Sequence, residues 1–496
     1  MMNNTNITLS SEIDDSLSRK VSRGTVWVTL GMIISRTLNI GSAIILTRLL
    51  IPDDFGLLAI VMAIIAFSDS ATQTGFESAL IQKQDKLEDF LNTAWTFELA
   101  RYLFLFFIIF LAAPLLASFF REPRAVAILR VISLSLVFQG LRNIGVIYFR
   151  KNLDFQKQFI LEIVPTIAYI SVVIPLAFSL RSVWALVWAS LAINITTCCI
   201  SYVMHPYRPH LDFSKKRAGN LFTFGKWVLG SSIIGMINNQ GMTMFVGKFL
   251  GIPVLGFFNR AGVFSTAIFQ QVSGIIWKVG YPAFSQLQDN PEKFKQAYLK
   301  TLQLLTFVGI PLAGGLFVLS SDFVHLFLTD KWLPIVPVMQ ILCLLAILDF
   351  INTPANIAFP ALGRPALGTK ISMLGVIILA ITVYPLTVRW GTTGAVAAFF
   401  LSALLTSPII WYMSIKIIKC SISEFFKPVL LPLINTGIMV SAISVIKGIF
   451  MHLSFAGFFV LIFAGIGTYI AVAVCFDRYL NYDIYRFIRE RFAVLR

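Results

Sequence analysis

Charge is scarce in this chain: only 13% of its 496 residues are Asp, Glu, Lys or Arg, where a soluble protein carries roughly a quarter. That excludes a single water-soluble globule, because 57% of the residues are hydrophobic and one aqueous core cannot hide them. Cysteine is sparse as well. The five, Cys198, Cys199, Cys343, Cys420 and Cys475, contain no CxxC pair and four lie in apolar runs, so neither a disulfide framework nor a zinc site is expected. With only four scattered histidines, no metal and no cofactor is expected. Long polar loops are missing too. None exceeds roughly twenty residues, which leaves no space for a soluble catalytic domain and argues against an enzyme. The first 20 residues are polar, carry Glu12, Asp14 and Asp15, and lack the short apolar core of a cleavable signal.

What is there instead is a succession of apolar runs long enough to cross hydrocarbon as helices. Fourteen are expected, at about 21–46, 55–75, 92–119, 125–148, 158–180, 182–204, 221–249, 253–281, 296–319, 334–359, 366–388, 391–413, 428–447 and 454–476. The expected fold is therefore an all-α membrane protein of 14 transmembrane helices. The net charge of +16 is not a nucleic-acid footprint, since the basic residues sit between the apolar runs. Loops on the N-terminal side hold 25 Lys and Arg and those on the opposite side 8, which by the positive-inside rule places both termini in the cytoplasm.

Two echoes suggest an internal repeat. Thr47-Arg-Leu-Leu-Ile-Pro-Asp-Asp-Phe-Gly56 resembles Gly247-Lys-Phe-Leu-Gly-Ile-Pro-Val-Leu-Gly256, 200 residues on. Arg130-Val-Ile-Ser-Leu resembles Gln340-Ile-Leu-Cys-Leu, 210 residues on, which sets Gln139 over Asp349 and Arg142 over Asn352. Short exterior hairpins look alike by default; the alternative is two parallel six-helix lobes around a central cavity, plus two C-terminal helices. The corresponding division is a tail at 1–20, an N-lobe at 21–206, a linker at 207–220, a C-lobe at 221–415, a last helix pair within 416–476 and a tail at 477–496.

Charges inside the spans cost a few kcal/mol each and mark functional candidates. They are Arg36, Asp69, Glu98, Arg101, Arg130, Arg142, Lys226, Arg260, Lys278 and Asp349, with Glu162 near a span end, seven cations against four anions. Arg36 falls near mid-membrane with Asn39 on the same face. Asp69 is either an arginine's partner or an ion-coupling group. Glu98 and Arg101, at i and i+3, neutralise each other or serve coupling and substrate. Asp349 lies beside Asn352, Thr353 and Pro354 and reads as an ion-coupling or a helix-packing residue. Arg260, Gln271, Gly274 and Lys278 fall within about 40° of one direction around the eighth span, a polar stripe roughly 27 Å long. Arg142, Lys278, Arg130 and Lys226 are also placed to snorkel to the interface. Surplus cations suit an anionic passenger, and arginine's fork suits phosphate. On these grounds Arg36, Arg260, Arg101, Arg142 and Lys278 are candidates for phosphate, and Asn39, Asn238, Asn239 and Gln271 for sugar hydroxyls. Asp69, Asp349 and Glu98 are candidates for ion coupling.

The chain resembles the multidrug/oligosaccharidyl-lipid/polysaccharide exporter superfamily, and within it the Wzx-type polysaccharide transporters, the kind that includes the colanic acid exporter. The resemblance runs from about Ser22 to about Phe476. It rests on Leu49-Leu-Ile-Pro-Asp-Asp-Phe-Gly-Leu-Leu58, Tyr207-Arg-Pro-His-Leu-Asp-Phe-Ser214, Phe224-Gly-Lys-Trp227, Tyr281-Pro-Ala-Phe-Ser-Gln-Leu-Gln-Asp289 and Asp330-Lys-Trp-Leu-Pro-Ile-Val-Pro337. It implies a flippase that moves undecaprenyl-pyrophosphate-linked oligosaccharide repeat units from the cytoplasmic to the periplasmic leaflet of the bacterial inner membrane by alternating access. It also implies an arginine in the first helix and one in the eighth near the pyrophosphate, matched here by Arg36 and Arg260. The expected partners are the lipid-linked oligosaccharide, membrane lipid and a polysaccharide polymerase or assembly machinery, with no nucleic acid.

Three rivals stand beside this reading. A drug/cation antiporter of the same superfamily wants a mainly acidic cavity. A membrane glycosyltransferase needs a carboxylate dyad or a large exterior loop. A scaffold of the assembly complex needs no buried charge at all.

Overall fold

A computed structural model describes residues 31, 34–77, 80, 88–152, 154–214, 219, 240–449 and 454–480. Asn238, Asn239 and Lys226 therefore lie outside the described residues, as do the start of the first expected span and most of the seventh. Every regular element among the described residues is helical. In chain order these are α1 (34–49), α2 (Pro52–Ala71), α3 (Glu88–Phe119), α4 (Ala125–Leu141), α5 (Phe155–Leu180), α6 (Val183–Met204), α7 (240–249), α8 (Ile252–Gln286), α9 (Pro291–Phe323), α10 (Val336–Ala361), α11 (Pro365–Ile418), α12 (Ile422–Ile449) and α13 (Phe455–Leu480). A short helix, Ile147–Lys151, follows α4.

Nine helices among the described residues are long and apolar enough to cross a membrane, or ten when the bent pair Ala125–Leu141 and Ile144–Lys151 counts as one span. One of the nine, α11, has 54 residues. At 1.5 Å per residue it is about 80 Å long, more than twice the ~30 Å of hydrocarbon. Gly391 interrupts it with φ 59° and ψ −133°, a conformation open to glycine because it has no Cβ. The break falls where the sequence separates 366–388 from 391–413, and a helix of this length has room for two crossings. Large apolar side chains such as Phe104, Leu111, Leu115, Val203, Ile381 and Phe463 point outward, a surface that lipid covers.

Helix starts follow ordinary capping rules. Proline occupies the first turn of α2, α9, α10 and α11, where its missing N–H costs nothing. Asp154 caps α5 by accepting from Lys157 N at 3.2 Å, and Asn290 caps α9 by accepting from Lys293 N at 3.1 Å. Asp54 does more: its carboxylate accepts from Ile51 N at 3.2 Å and from Val183 N at 2.9 Å, tying the start of α2 to the start of α6.

The chain divides into two compact units, Met1–Gly256 and Phe257–Arg496. In the first, α3 packs on α4, α5 on α6, and α4 on α6. Its two echoing turns meet reciprocally. A Cβ on Gly56 would collide with the Ile252 carbonyl, and one on Gly256 with the Pro52 carbonyl. Positions 52 and 252, like 56 and 256, are those the 200-residue echo aligns. In the second unit α9 packs on α10 and α12, α10 on α11, and α12 on α13. Its core joins Phe284, Tyr298, Leu302, Ile351, Ile357, Phe425 and Val429.

Candidate functional site

The first unit contains a polar cavity of about 180 Å³. Three elements build it. The C-terminal end of α2 and the segment after it bring Asp69, Gln73, Phe76 and Glu77; α3 brings Trp95, Glu98, Arg101 and Tyr102; the end of α4 brings Gln139, Arg142 and Asn143. The α3 contribution follows from helical periodicity, since residues three, six and seven positions after Trp95 share its face.

Arg101 is the fixed point of this cavity and is only 10% exposed. It donates to Asp69 Oδ1 at 2.7 Å, to Thr72 Oγ1 at 3.1 Å and to Glu98 Oε2 at 2.9 Å. Its guanidinium also lies 4.0 Å from the Tyr102 ring centroid. Glu98 accepts in addition from Thr74 Oγ1. Of the alternatives open for Asp69, the structure displays the arginine partnership, and Glu98 and Arg101 do pair at i, i+3.

Arg142 behaves differently. The chain leaves helical geometry at this residue (ψ 138°) and turns by 66° into the following short helix. The Arg142 carbonyl accepts from Trp95 Nε1 at 3.2 Å. Its Nε is buried without a hydrogen-bond partner, and its side chain enters no ion pair, among the described residues. Glu77, on the same wall, is engaged by Arg150 at 2.8 Å. Gln139 donates to Asn194 Oδ1 at 3.2 Å. Among the described residues the cavity therefore has three engaged acids, one satisfied arginine and one open cation.

Asn143 joins this wall to the motif Tyr207–Ser214. It donates through Nδ2 to Tyr207 O at 2.7 Å, and its Oδ1 accepts from Gly145 N at 2.8 Å. The motif lies back as a strap on the start of α3. Tyr207 donates to Asn92 Oδ1 at 2.6 Å, Thr93 to Asp212 Oδ2 at 3.0 Å, and Phe213 stacks on Phe97 at 4.9 Å. His205, at the head of the strap, stacks on Tyr148 at 5.5 Å, and its Nδ1 accepts from Tyr207 N at 3.1 Å. Burial, with Lys157 and Arg208 nearby, holds this imidazole below its usual range.

The cavity gathers four of the residues singled out from sequence, Asp69, Glu98, Arg101 and Arg142. Elsewhere in the first unit Arg36 is half-buried on α1, its Nε without a hydrogen-bond partner among the described residues, and Asn39 is exposed. In the second unit Arg260 donates to the neighbouring Asn259 Oδ1 at 2.9 Å, Lys278 is exposed on α8, and Asp349 lies on α10, its carbonyl accepting from Thr353 at 2.7 Å. Gln271 is on α8, its side chain outside the described ones. Trp95, Tyr102, Gln73 and Asn143 were not singled out, although the helical spacing from Glu98 points to the first two.

Residues 45–337 match the family described as polysaccharide biosynthesis protein. The lipopolysaccharide biosynthesis protein WzxC of Escherichia coli (strain K12) is 25% identical over 81% of this chain and 82% of its own length. Among solved structures, the lipid II flippase MurJ in an inward closed conformation superposes with a TM-score of 0.76 at 16% identity, covering 92% of this chain and 99% of that one. An inward-facing multidrug resistance MATE family transporter of the MOP superfamily superposes with a TM-score of 0.61 at 16% identity, over 80% of this chain and 99% of that one. The fold is thus that of helical membrane transporters of this superfamily.

Proposed function

The chain belongs to the polysaccharide biosynthesis protein family, and on that premise we propose that it is a flippase for undecaprenyl-pyrophosphate-linked oligosaccharide repeat units. The passenger moves from the cytoplasmic to the periplasmic leaflet of a bacterial inner membrane, by alternating access of two six-helix lobes within a 14-helix chain. Both termini are cytoplasmic, and a polymerase or assembly machinery receives the product on the far side.

The observation that carries this reading is the half-buried Arg36 in the first span, its Nε without a partner among the described residues, in a chain of this family. A cation held inside hydrocarbon is costly unless something anionic meets it. A pyrophosphate diester needs such a group, since lipid will not accept its charge unaided. Arg36 and Arg260 grip the pyrophosphate, Lys278 receives it at the cytoplasmic end of α8, and Asn39, Asn238, Asn239 and Gln271 meet sugar hydroxyls. Asp69 and Glu98 are already engaged by Arg101, so the ion-coupling role falls to Asp349. With an inside-negative potential, carrying two negative charges outward gains roughly 4.6 kcal/mol per 100 mV.

Flipping of a fluorescent polyprenyl-pyrophosphate oligosaccharide in proteoliposomes tests the proposal. The native chain is expected to flip it, an inside-negative potential to accelerate it, and Arg36→Gln to slow it at least about tenfold. A rate no higher than that of empty liposomes would overturn it.

A further inference from the structure

The cavity of the first unit is not built like a pyrophosphate site. Asp69, Glu77 and Glu98 all line it, so a doubly charged anion would face three carboxylates. The same carboxylates are good acceptors for hydroxyl donors, and so are the amide oxygens of Gln73 and Gln139. Trp95 and Tyr102 give the wall two large aromatic faces. The volume, about 180 Å³, gives room for a sugar ring. Against this hydroxyl-accepting, aromatic wall stands the one open cation, Arg142, with its Nε buried and without a partner among the described residues. Arg101 offers no second charge, being held by Asp69 and Glu98.

We propose that this cavity is a specificity site for a single acidic sugar residue of the passenger glycan, a hexuronate ring, whose carboxylate pairs with Arg142 while its hydroxyls donate to the carboxylates and amides of the wall. The proposal rests on the flippase reading for the origin of that sugar, but binding at the site is measured without transport. One charge on the ligand meets one open charge on the protein, which accounts for a wall rich in acceptors and aromatic faces beside a single open arginine. Asn143 adds a consequence: the residue next to Arg142 holds the Tyr207 carbonyl of the strap, so an occupied site and a seated strap share one support.

The test uses the full-length chain in nanodiscs, with free glucuronate, glucose and inorganic pyrophosphate as probes and saturation-transfer NMR as readout. Glucuronate is expected to bind at least about tenfold more tightly than glucose, the worth of one charge-assisted pair, and inorganic pyrophosphate to leave it in place. In Arg142→Gln that preference falls to about one, whereas Arg389→Gln, at an exposed position, preserves it. Equal binding of glucuronate and glucose by the native chain, displacement by pyrophosphate, or a preference surviving in Arg142→Gln would each overturn the proposal. If Arg142→Gln does not fold, the two comparisons on the native chain still decide. A native chain that prefers glucuronate but flips nothing upholds the site and removes the transport reading; one that flips without the preference does the reverse.

Discussion

The 210-residue echo in the sequence sets Arg142 of the first unit over Asn352 of the second, and their surroundings are opposite. Asn352 is buried in mid-helix and closed on both sides: its Nδ2 donates to Ser407 Oγ at 2.8 Å, and its Oδ1 accepts from Trp411 Nε1 at 2.9 Å. In the first unit a tryptophan also donates to this position, but Trp95 reaches the Arg142 carbonyl and leaves the guanidinium open to a cavity. The second unit also has a cavity of about 10 Å³, lined by Phe269, Leu312, Leu316 and Phe350. A polar group whose hydrogen bonds are all spent inside the protein holds helices together; one whose capacity is left over waits for a ligand. The difference is the one expected if Asn352 packs helices and the proposed sugar site lies beside Arg142.

The largest effect that sharpens this contrast belongs to the satisfied arginine. Arg101→Gln leaves the partly exposed Asp69 and Glu98 without their shared partner, and should cost about 2–3 kcal/mol of stability, read as a fall in thermal midpoint in detergent. Asn352→Ala follows, at about 1–2 kcal/mol, because it strands the Trp411 N–H, while the Ser407 hydroxyl keeps its bond to the Ala403 carbonyl. Arg142→Gln, at the corresponding position, should change stability by less than about 1 kcal/mol, since it removes a buried cation that satisfies nothing. Equal losses for Asn352→Ala and Arg142→Gln would erase the contrast. The smallest effect concerns the strap, which the second unit has no counterpart for among the described residues. His205 is held below its usual range, so the folded state binds its proton less readily than the unfolded chain; the stability it lends is complete above about pH 6.5 and lost as pH falls. The groups facing it are Tyr148, Phe149, Tyr207, Lys157 and Arg208. The opening free energy of 205–214, from hydrogen exchange corrected for the intrinsic rate at each pH, should therefore be lower at pH 5.5 than at pH 7.5 by less than about 1 kcal/mol, and His205→Gln should flatten that dependence.

Much of this contrast was open to reading in the sequence, and the remainder failed for definite reasons. Apolar run length located the nine candidate spans among the described residues; the break at Gly391, which falls between two expected spans, is seen in the backbone of α11. The i, i+3 spacing announced the Glu98–Arg101 pair. Which arginine Asp69 would meet was not legible, since that contact spans 32 residues and depends on how α2 packs against α3. Arg142 read equally well as a snorkelling residue, because nothing in Gln139-Gly-Leu-Arg-Asn-Ile-Gly145 carries the proline that usually marks a kink; the turn there comes from Asn143 capping the next segment. The strap looked like a polar linker, as its hydrogen bonds go to residues more than a hundred positions away.

The most direct test of the account is made in a cell that depends on this protein. When the gene is deleted, lipid-linked glycans are extracted and their leaflet is read with a membrane-impermeant modifying enzyme. The account predicts that an undecaprenyl-pyrophosphate-linked oligosaccharide accumulates, inaccessible from outside, while the surface polysaccharide disappears. Loss of the polysaccharide with no such intermediate, or with the intermediate freely accessible from the outer face, would contradict it.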